Sequence, residues 1–141
     1  LHDGIILLAA WAMGGAEKAL EITVEYAKER VQFDKPLGAF QAIAHYLADA
    51  ATAVDGGKTL VYEAAWARSK DKPISRLAPM AKLFASDVAM KVTTDCVQLF
   101  GGYGYCKDYP IEKYMRDAKI TQIYEGTNQI QQMVIANALV K

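Results

Sequence analysis

Ile43-Ala44-His45-Tyr46-Leu47-Ala48-Asp49-Ala50-Ala51-Thr52-Ala53-Val54-Asp55-Gly56-Gly57-Lys58-Thr59-Leu60-Val61-Tyr62-Glu63-Ala64 is the stretch that decides the fold. Ile43, Leu47, Ala50, Val54, Gly57, Val61 and Ala64 recur at alternating steps of four and three. That spacing puts all seven on one face of an α-helix. The pattern predicts a long helix from about Phe40 to Ser69, ended by Lys70-Asp71-Lys72-Pro73. On the N-terminal side, Leu8, Ala12, Gly15, Ala19, Ile22 and Tyr26 draw the same stripe and predict a first helix over about Asp3–Val31. Gly14 and Gly15 lie inside it, and a mid-helix glycine costs about 1 kcal/mol against alanine, so close approach of a neighbouring helix is the expected compensation. On the C-terminal side, Ala81, Phe84, Val88, Val92, Cys96 and Leu99 predict a third helix over about Arg76–Phe100, with Ser75 as its N-cap and Pro79 near its first turn.

The rest of the chain is punctuation and two shorter elements. Pro36 and Gly38 mark a turn after the first helix. Gly101-Gly102-Tyr103-Gly104-Tyr105 reads as a loop, and Pro110 as the N1 residue of a short helix reaching about Ile120. Tyr124-Glu125-Gly126-Thr127 breaks the chain again, with Thr127 capping a last helix that ends near Leu139. Alanine, the best helix former, occurs 23 times, and no alternating Val/Ile/Thr-rich run predicts a strand. The expected fold is therefore all-α: an antiparallel up-and-down bundle of three long and two shorter helices joined by short loops.

Composition narrows the function classes. A length of 141 residues fits one domain, which usually takes roughly 100–200. Lys plus Arg and Asp plus Glu each number 16, for a net charge of zero, so no general nucleic-acid or membrane-surface footprint is expected. Apolar residues make up 52%, too many for a disordered chain. Two cysteines, Cys96 and Cys106, with two histidines, His2 and His45, suggest neither a structural zinc site nor a disulfide scaffold, and a reducing compartment fits. No run reaches the ~20 apolar residues of a membrane span. The opening Leu1-His2-Asp3-Gly4 has no initiator Met and no signal-peptide layout, as expected for a piece of something longer.

Four segments carry candidate chemistry. In Tyr124-Glu125-Gly126-Thr127-Asn128-Gln129 a carboxylate stands between two helices. It reads either as a general base aimed into a cleft or as a solvated acid near a helix N-terminus. Gln98-Leu99-Phe100-Gly101-Gly102-Tyr103-Gly104 offers backbone N–H groups to a phosphate or sugar, or is simply a glycine C-cap. It is no dinucleotide fingerprint, which must follow a strand and open a helix. In Glu29-Arg30-Val31-Gln32-Phe33 the arginine fork suits a pyrophosphate and Phe33 could lie against a base; otherwise Arg30 serves a helix C-terminus and Phe33 plugs the core. In Tyr114-Met115-Arg116-Asp117-Ala118, Arg116 should pair locally with Asp117 or Glu112. No nucleophile elbow, P-loop or metal box is present.

These segments, with Met115-Arg116-Asp117-Ala118-Lys119-Ile120 and Ile123 to Gln131, occur in one order and spacing. Together they resemble the C-terminal helical domain of the flavin-dependent acyl-CoA dehydrogenases, over essentially the whole of Leu1–Lys141. The resemblance implies that an N-terminal helical domain and a middle β-domain belong to the complete subunit, and that these 141 residues alone are inactive. It implies FAD as cofactor, an acyl-CoA thioester as substrate and an electron-transferring flavoprotein as electron acceptor. It also implies a homo-oligomer, dimer or tetramer, in the bacterial cytoplasm or the mitochondrial matrix. Glu125 would be the catalytic base and Gly126 would meet the thioester. Thr127 and Gln129 would touch the FAD of their own subunit. Arg30, Gln32 and Phe33 would hold the pyrophosphate of a neighbour's FAD, with Phe40 and Gln41 in a secondary part of that surface. Gln98, Gly101 and Gly102 would meet the same neighbour's adenosine portion. A carboxylate suits α-proton removal where burial brings its basicity toward working pH.

Two departures from the family pattern stand out. Relatives often carry Gly-Arg near the start of the first helix, where this chain reads Gly4-Ile5-Ile6, and Phe-Gly where it reads Phe33-Asp34. Asp tolerates the left-handed backbone that a turn there requires. The alternatives to a dehydrogenase are an acyl-CoA oxidase-like relative, or a helical interaction module that kept the fold and lost catalysis.

Overall fold

A computed structural model describes all residues, 1–141. The elements are α1 (His2–Glu29), a hairpin of β1 (Val31–Gln32) and β2 (Lys35–Pro36), a 3-10 turn (Leu37–Ala39), α2 (Gln41–Ser69), α3 (Leu77–Phe100), the single-turn α4 (Gly102–Tyr105), α5 (Ile111–Thr121) and α6 (Asn128–Val140). The fold is the all-α bundle that the periodicity predicts. α3 is its axis and packs against α1, α2, α5 and α6.

The three long helices reverse direction in turn. Arg68 near the end of α2 hydrogen-bonds Asp3 near the start of α1 at 2.7 Å, and Lys58 reaches Glu17 at 2.7 Å. Tyr26 at the end of α1 stacks on Phe100 at the end of α3, with ring centroids 4.0 Å apart, so α1 and α3 run the same way. The core between them is built of small side chains: Ala16, Ala19, Ala64, Ala78, Ala81 and Ala85 are fully buried. Small residues let helix axes approach, and Gly57 of α2 takes this furthest. A Cβ there would stand 2.3 Å from the Met13 sulfur of α1.

Several local readings change. Gly15 meets Tyr114 of α5 at an ordinary 3.9 Å, but Gly14 faces open space, so no neighbour compensates it. Phe84 falls on the α3 stripe yet stays 44% exposed, because Gly56 leaves α2 without a side chain there to cover the ring. Arg76, not Ser75, occupies the N-cap of α3 and makes no side-chain cap bond; the Ile74 carbonyl accepts the Ala78 N–H instead. Gly101–Tyr105 is not all loop, since α4 makes one helical turn, and Pro110 is the N-cap rather than the N1 residue of α5. The shorter helices thus number three rather than two.

The unpredicted hairpin has a clear cause. Val31 pairs with Pro36 and Gln32 with Lys35, closing a two-residue turn whose Phe33 and Asp34 have φ of 51° and 65°. Two left-handed residues in succession are what a tight hairpin turn matching the strand twist needs. Strands of two residues are too short to show alternation. The turn also leaves Phe33 87% exposed, so it does not plug the core.

Candidate active site

The two groups of candidate residues lie at opposite ends of α1. Gly4 at its start is 3.4 Å (from an ideal Cβ) to Oε2 of Glu125, whereas Arg30 caps its end. At 1.5 Å rise per residue, the 26 steps between them span about 39 Å.

The Glu125 end is built on the turn between α5 and α6. The Gln122 carbonyl accepts the Asn128 N–H at 3.0 Å and closes the loop. Inside it Glu125 has φ +58° and Gly126 φ +86°. A left-handed glutamate costs on the order of 1 kcal/mol and persists only where its surroundings hold it. They do. Gln131 Nε2 donates to the Glu125 and Gly126 carbonyls at 3.1 and 3.2 Å, and Lys82 Nζ donates to the Gly126 carbonyl at 2.8 Å. A side chain at position 126 would also meet Gln131 Nε2 at 2.7 Å. Thr127 caps α6 as expected, its hydroxyl accepting from the Ile130 N–H at 3.4 Å.

Below the loop lies a buried polar network that sequence reasoning missed. Lys82 of α3 has 0% exposure and also donates to Asn128 Oδ1 at 2.7 Å. Asn128 Nδ2 donates to Ser86 Oγ at 2.8 Å and to Asp87 Oδ1 at 2.7 Å, and Gln122 Nε2 reaches the same Asp87 oxygen at 2.8 Å. Burial pulls the Lys82 ammonium below the ordinary lysine range, while the Asp87 and Glu125 carboxylates oppose that shift. The available signal was register: Lys82 and Ser86 share a face with Ala78, Ala85 and Ala89, all buried. The Glu125 carboxylate itself is exposed and engages no hydrogen bond or ion pair of the chain. The N–H groups of Glu125, Gly126 and Thr127 likewise have no acceptor within the chain. Gln129 is exposed on the first turn of α6. Ile5 is 4% exposed and belongs to the core.

At the far end, Arg30, Gln32, Gly101 and Gly102 line one groove with Tyr26 and Tyr103. The fold thus brings together segments some seventy residues apart in sequence. The Arg30 guanidinium lies 5.6 Å from the Tyr103 ring centroid and pairs with no carboxylate. Gly101 has φ +63°, ψ −139°, a region open essentially to glycine, and nothing stands within 4 Å of a Cβ at Gly101 or Gly102. Phe33 packs edge-on against Phe40 with centroids 6.3 Å apart, beside the groove rather than in its lining, and Gln41 opens α2 exposed. Gln98 is exposed on the last turn of α3, also outside that lining. Arg116 approaches Glu112 at 4.0 Å, while Asp117 pairs with Lys113. His45 is a surface residue of α2. No helix is long and apolar enough to cross a membrane, and no cluster of metal-ligating side chains is present.

The molecule is thus an antiparallel helical bundle with an unpaired carboxylate on a braced left-handed turn at one end and a groove lined by Arg30, Gly101 and Gly102 at the other. Residues 1–140 match the acyl-CoA dehydrogenase C-terminal domain, and the chain belongs to that family. It is 54% identical over 141 residues to the short-chain-specific acyl-CoA dehydrogenase of Megasphaera elsdenii, covering 100% of this chain and 37% of that one. The structure of butyryl-CoA dehydrogenase from Megasphaera elsdenii superposes with a TM-score of 0.98 at 54% identity, covering 99% of this chain and 37% of that chain. A chain in the structural study of the electron transferring flavoprotein of Acidaminococcus fermentans gives 0.98 at 55% identity, with the same coverage. The FAD complex of PigA gives 0.92 at 31% identity, covering 98% of this chain and 37% of that one. The chain thus spans little more than a third of the length of these relatives.

Proposed function

We propose that the chain forms the C-terminal domain of a flavoenzyme that removes hydrogens across the α–β bond of acyl-CoA thioesters, with Glu125 taking the α-proton. One observation carries this reading: an unpaired carboxylate, held by a braced turn, stands beside three backbone N–H groups that lack acceptors. An α-hydrogen next to a thioester is weakly acidic. Its removal needs a base within reach and donors for the oxygen on which negative charge develops. Glu125 supplies the base, and the N–H groups around Gly126 supply a donor to the thioester oxygen. Glu125 is exposed in this chain, so the remaining domains and the substrate supply the cover that excludes water.

FAD, when bound, supplies the acceptor for the hydride from the β-carbon. The Arg30 groove fits its pyrophosphate: the guanidinium is uncompensated and Gly101-Gly102 leaves backbone bare for close approach. Gln32 lies in the same groove, and Gln98, Phe33, Phe40 and Gln41 extend the surface around it. Thr127 and Gln129 stand beside Glu125, placed for the flavin of the same subunit. A separation of about 39 Å is longer than an extended flavin dinucleotide, so the two ends serve different FAD molecules. That supports a homo-oligomer, dimer or tetramer, in which each Arg30 end completes a neighbour's site. Electrons leave to an electron-transferring flavoprotein. Cys96 and Cys106 are both free thiols, which supports a reducing setting, the bacterial cytoplasm or mitochondrial matrix.

The test is Glu125→Gln in the full-length flavoenzyme, which keeps shape and removes the base. FAD and acyl-CoA should bind nearly as before, while flavin reduction in stopped flow slows by ~10³-fold, within the range a positioned base contributes. Reduction at the wild-type rate would place the base elsewhere.

A further inference from the structure

Lys82 is the one lysine of the chain with no exposed surface, and it sits on a helix face otherwise lined by Ala78, Ala81, Ala85 and Ser86. Burying an ammonium is costly unless it is well partnered. Lys82 has no carboxylate within ion-pair distance, and an apolar side chain of similar length would fill the space without that cost. Stability alone is therefore a poor reason for a lysine here. What the side chain does is specific: both of its hydrogen bonds, to the Gly126 carbonyl at 2.8 Å and to Asn128 Oδ1 at 2.7 Å, end on the segment that carries Glu125.

We propose that Lys82 is a positioning residue for the Glu125 carboxylate, clamping the left-handed Glu125–Gly126 turn and the first residue of α6 onto α3. The proposal rests on the reading of Glu125 as the base. The geometry follows from peptide planarity. Gln131 holds the Glu125 carbonyl inward, and Lys82 with Gln131 holds that of Gly126. In each trans peptide the N–H points opposite to its carbonyl, so these clamps turn the Gly126 and Thr127 N–H groups outward. The same clamps fix the Glu125 backbone, and with it the direction in which its side chain leaves the loop. Asn128 ties the clamp to Ser86 and Asp87, one turn further along α3. The acids acting on the ammonium are Asp87 of α3 and Glu125 of the loop; α6 presents the neutral amides Asn128 and Gln131, and α1 meets the loop at Gly4, which has no side chain.

Lys82→Met in the full-length flavoenzyme removes the clamp and keeps the volume. Neither acceptor is left without a donor in reach: Gln131 still donates to the Gly126 carbonyl, and Ser86 Oγ, 3.2 Å from Asn128 Oδ1, can turn its one proton there from the Lys82 carbonyl. Misplacing a reacting group by about 1 Å can cost ~10²-fold. The expected result is flavin content and affinity for an unreactive acyl-CoA analogue within about 3-fold of wild type, with the reduction rate per bound flavin lower by ~10–100-fold. Asn128→Ala, which removes the second anchor, should lower the same rate by a smaller factor, and decides the matter if Lys82→Met does not fold. A purely structural Lys82 would lower thermal stability or flavin content and leave the rate per bound flavin unchanged in the folded variant. That outcome overturns the proposal. Glu125→Gln is measured alongside: a slow Glu125→Gln with a normal Lys82→Met sinks only the positioning role, whereas a normal Glu125→Gln sinks both readings.

Discussion

Replacing Gly57 with alanine tests whether the close approach of α1 and α2 is as tight as the structure shows. The added methyl would stand 2.3 Å from Met13 Sδ, 3.4 Å from its Cε and 3.6 Å from its Cγ. Favourable contacts lie at roughly 3.5–4.0 Å, so the thioether must retreat by more than 1 Å. Met13 is 2% exposed, so its thioether can move only within the core. Overpacking of this kind costs about 1–3 kcal/mol. Against it stands a helix-propensity gain of about 1 kcal/mol for replacing a mid-helix glycine. Gly14→Ala removes that ambiguity, because its Cβ meets nothing within 4 Å and it collects the propensity gain alone. The difference between the two variants therefore isolates the clash. Gly57→Ala should be less stable than Gly14→Ala by about 1–3 kcal/mol, or roughly 3–9 °C in melting midpoint for a chain of this size. Adding Met13→Ala should make Gly57→Ala neutral or stabilising, a coupling of at least about 1 kcal/mol between touching residues. The assay is urea and thermal unfolding followed by far-ultraviolet circular dichroism. A Gly57→Ala protein as stable as Gly14→Ala would refute the packing argument.

Burial pushes the Cys96 thiol up to about 11, whereas Cys106 is exposed; in native protein at pH 8 a disulfide reagent should titrate one thiol quickly and the second only after unfolding, and two fast equivalents would contradict the burial. Because Cys96 keeps its proton longer when folded than when unfolded, its contribution to stability is fully present below the ordinary thiol range and is lost as pH rises through about 11, a decline that Cys96→Ala should lack. Trp66, Tyr62, Met133 and Leu139 leave apolar surface exposed, so the 141-residue chain should self-associate; sedimentation showing only monomer at high micromolar concentration counts against that. On the proposed reading the same chain supplies only part of each flavin site, so it should retain FAD poorly, and stoichiometric yellow protein from it would be the contrary result.

Periodicity along the chain was enough to place the long helices, because a helix buries a face and a buried face must repeat at three and four residues. Val54, Val61, Ala64, Val92 and Cys96 are buried where their spacing puts them. Thr127 caps α6 because a capping hydroxyl needs only its own following turn. The order of Arg30, Gly101 and Glu125 along the chain was likewise readable, since motifs are local. Only the tertiary structure decided which of these meet. Arg30 and Gly101 share a groove because α1 and α3 run the same way and end together, while Glu125 sits at the start of both. Phe84 had the spacing of a core residue and is half exposed, because burial also depends on whether the opposing helix carries a side chain, and Gly56 does not. Lys82 was misleading in the sequence for the converse reason. A lysine normally marks the solvated face of a helix, and only its register with Ala78, Ala85 and Ala89 signals otherwise. Its partners, Gly126 and Asn128, lie 44 and 46 residues away, and only folding brings their oxygens within hydrogen-bond reach of a buried ammonium.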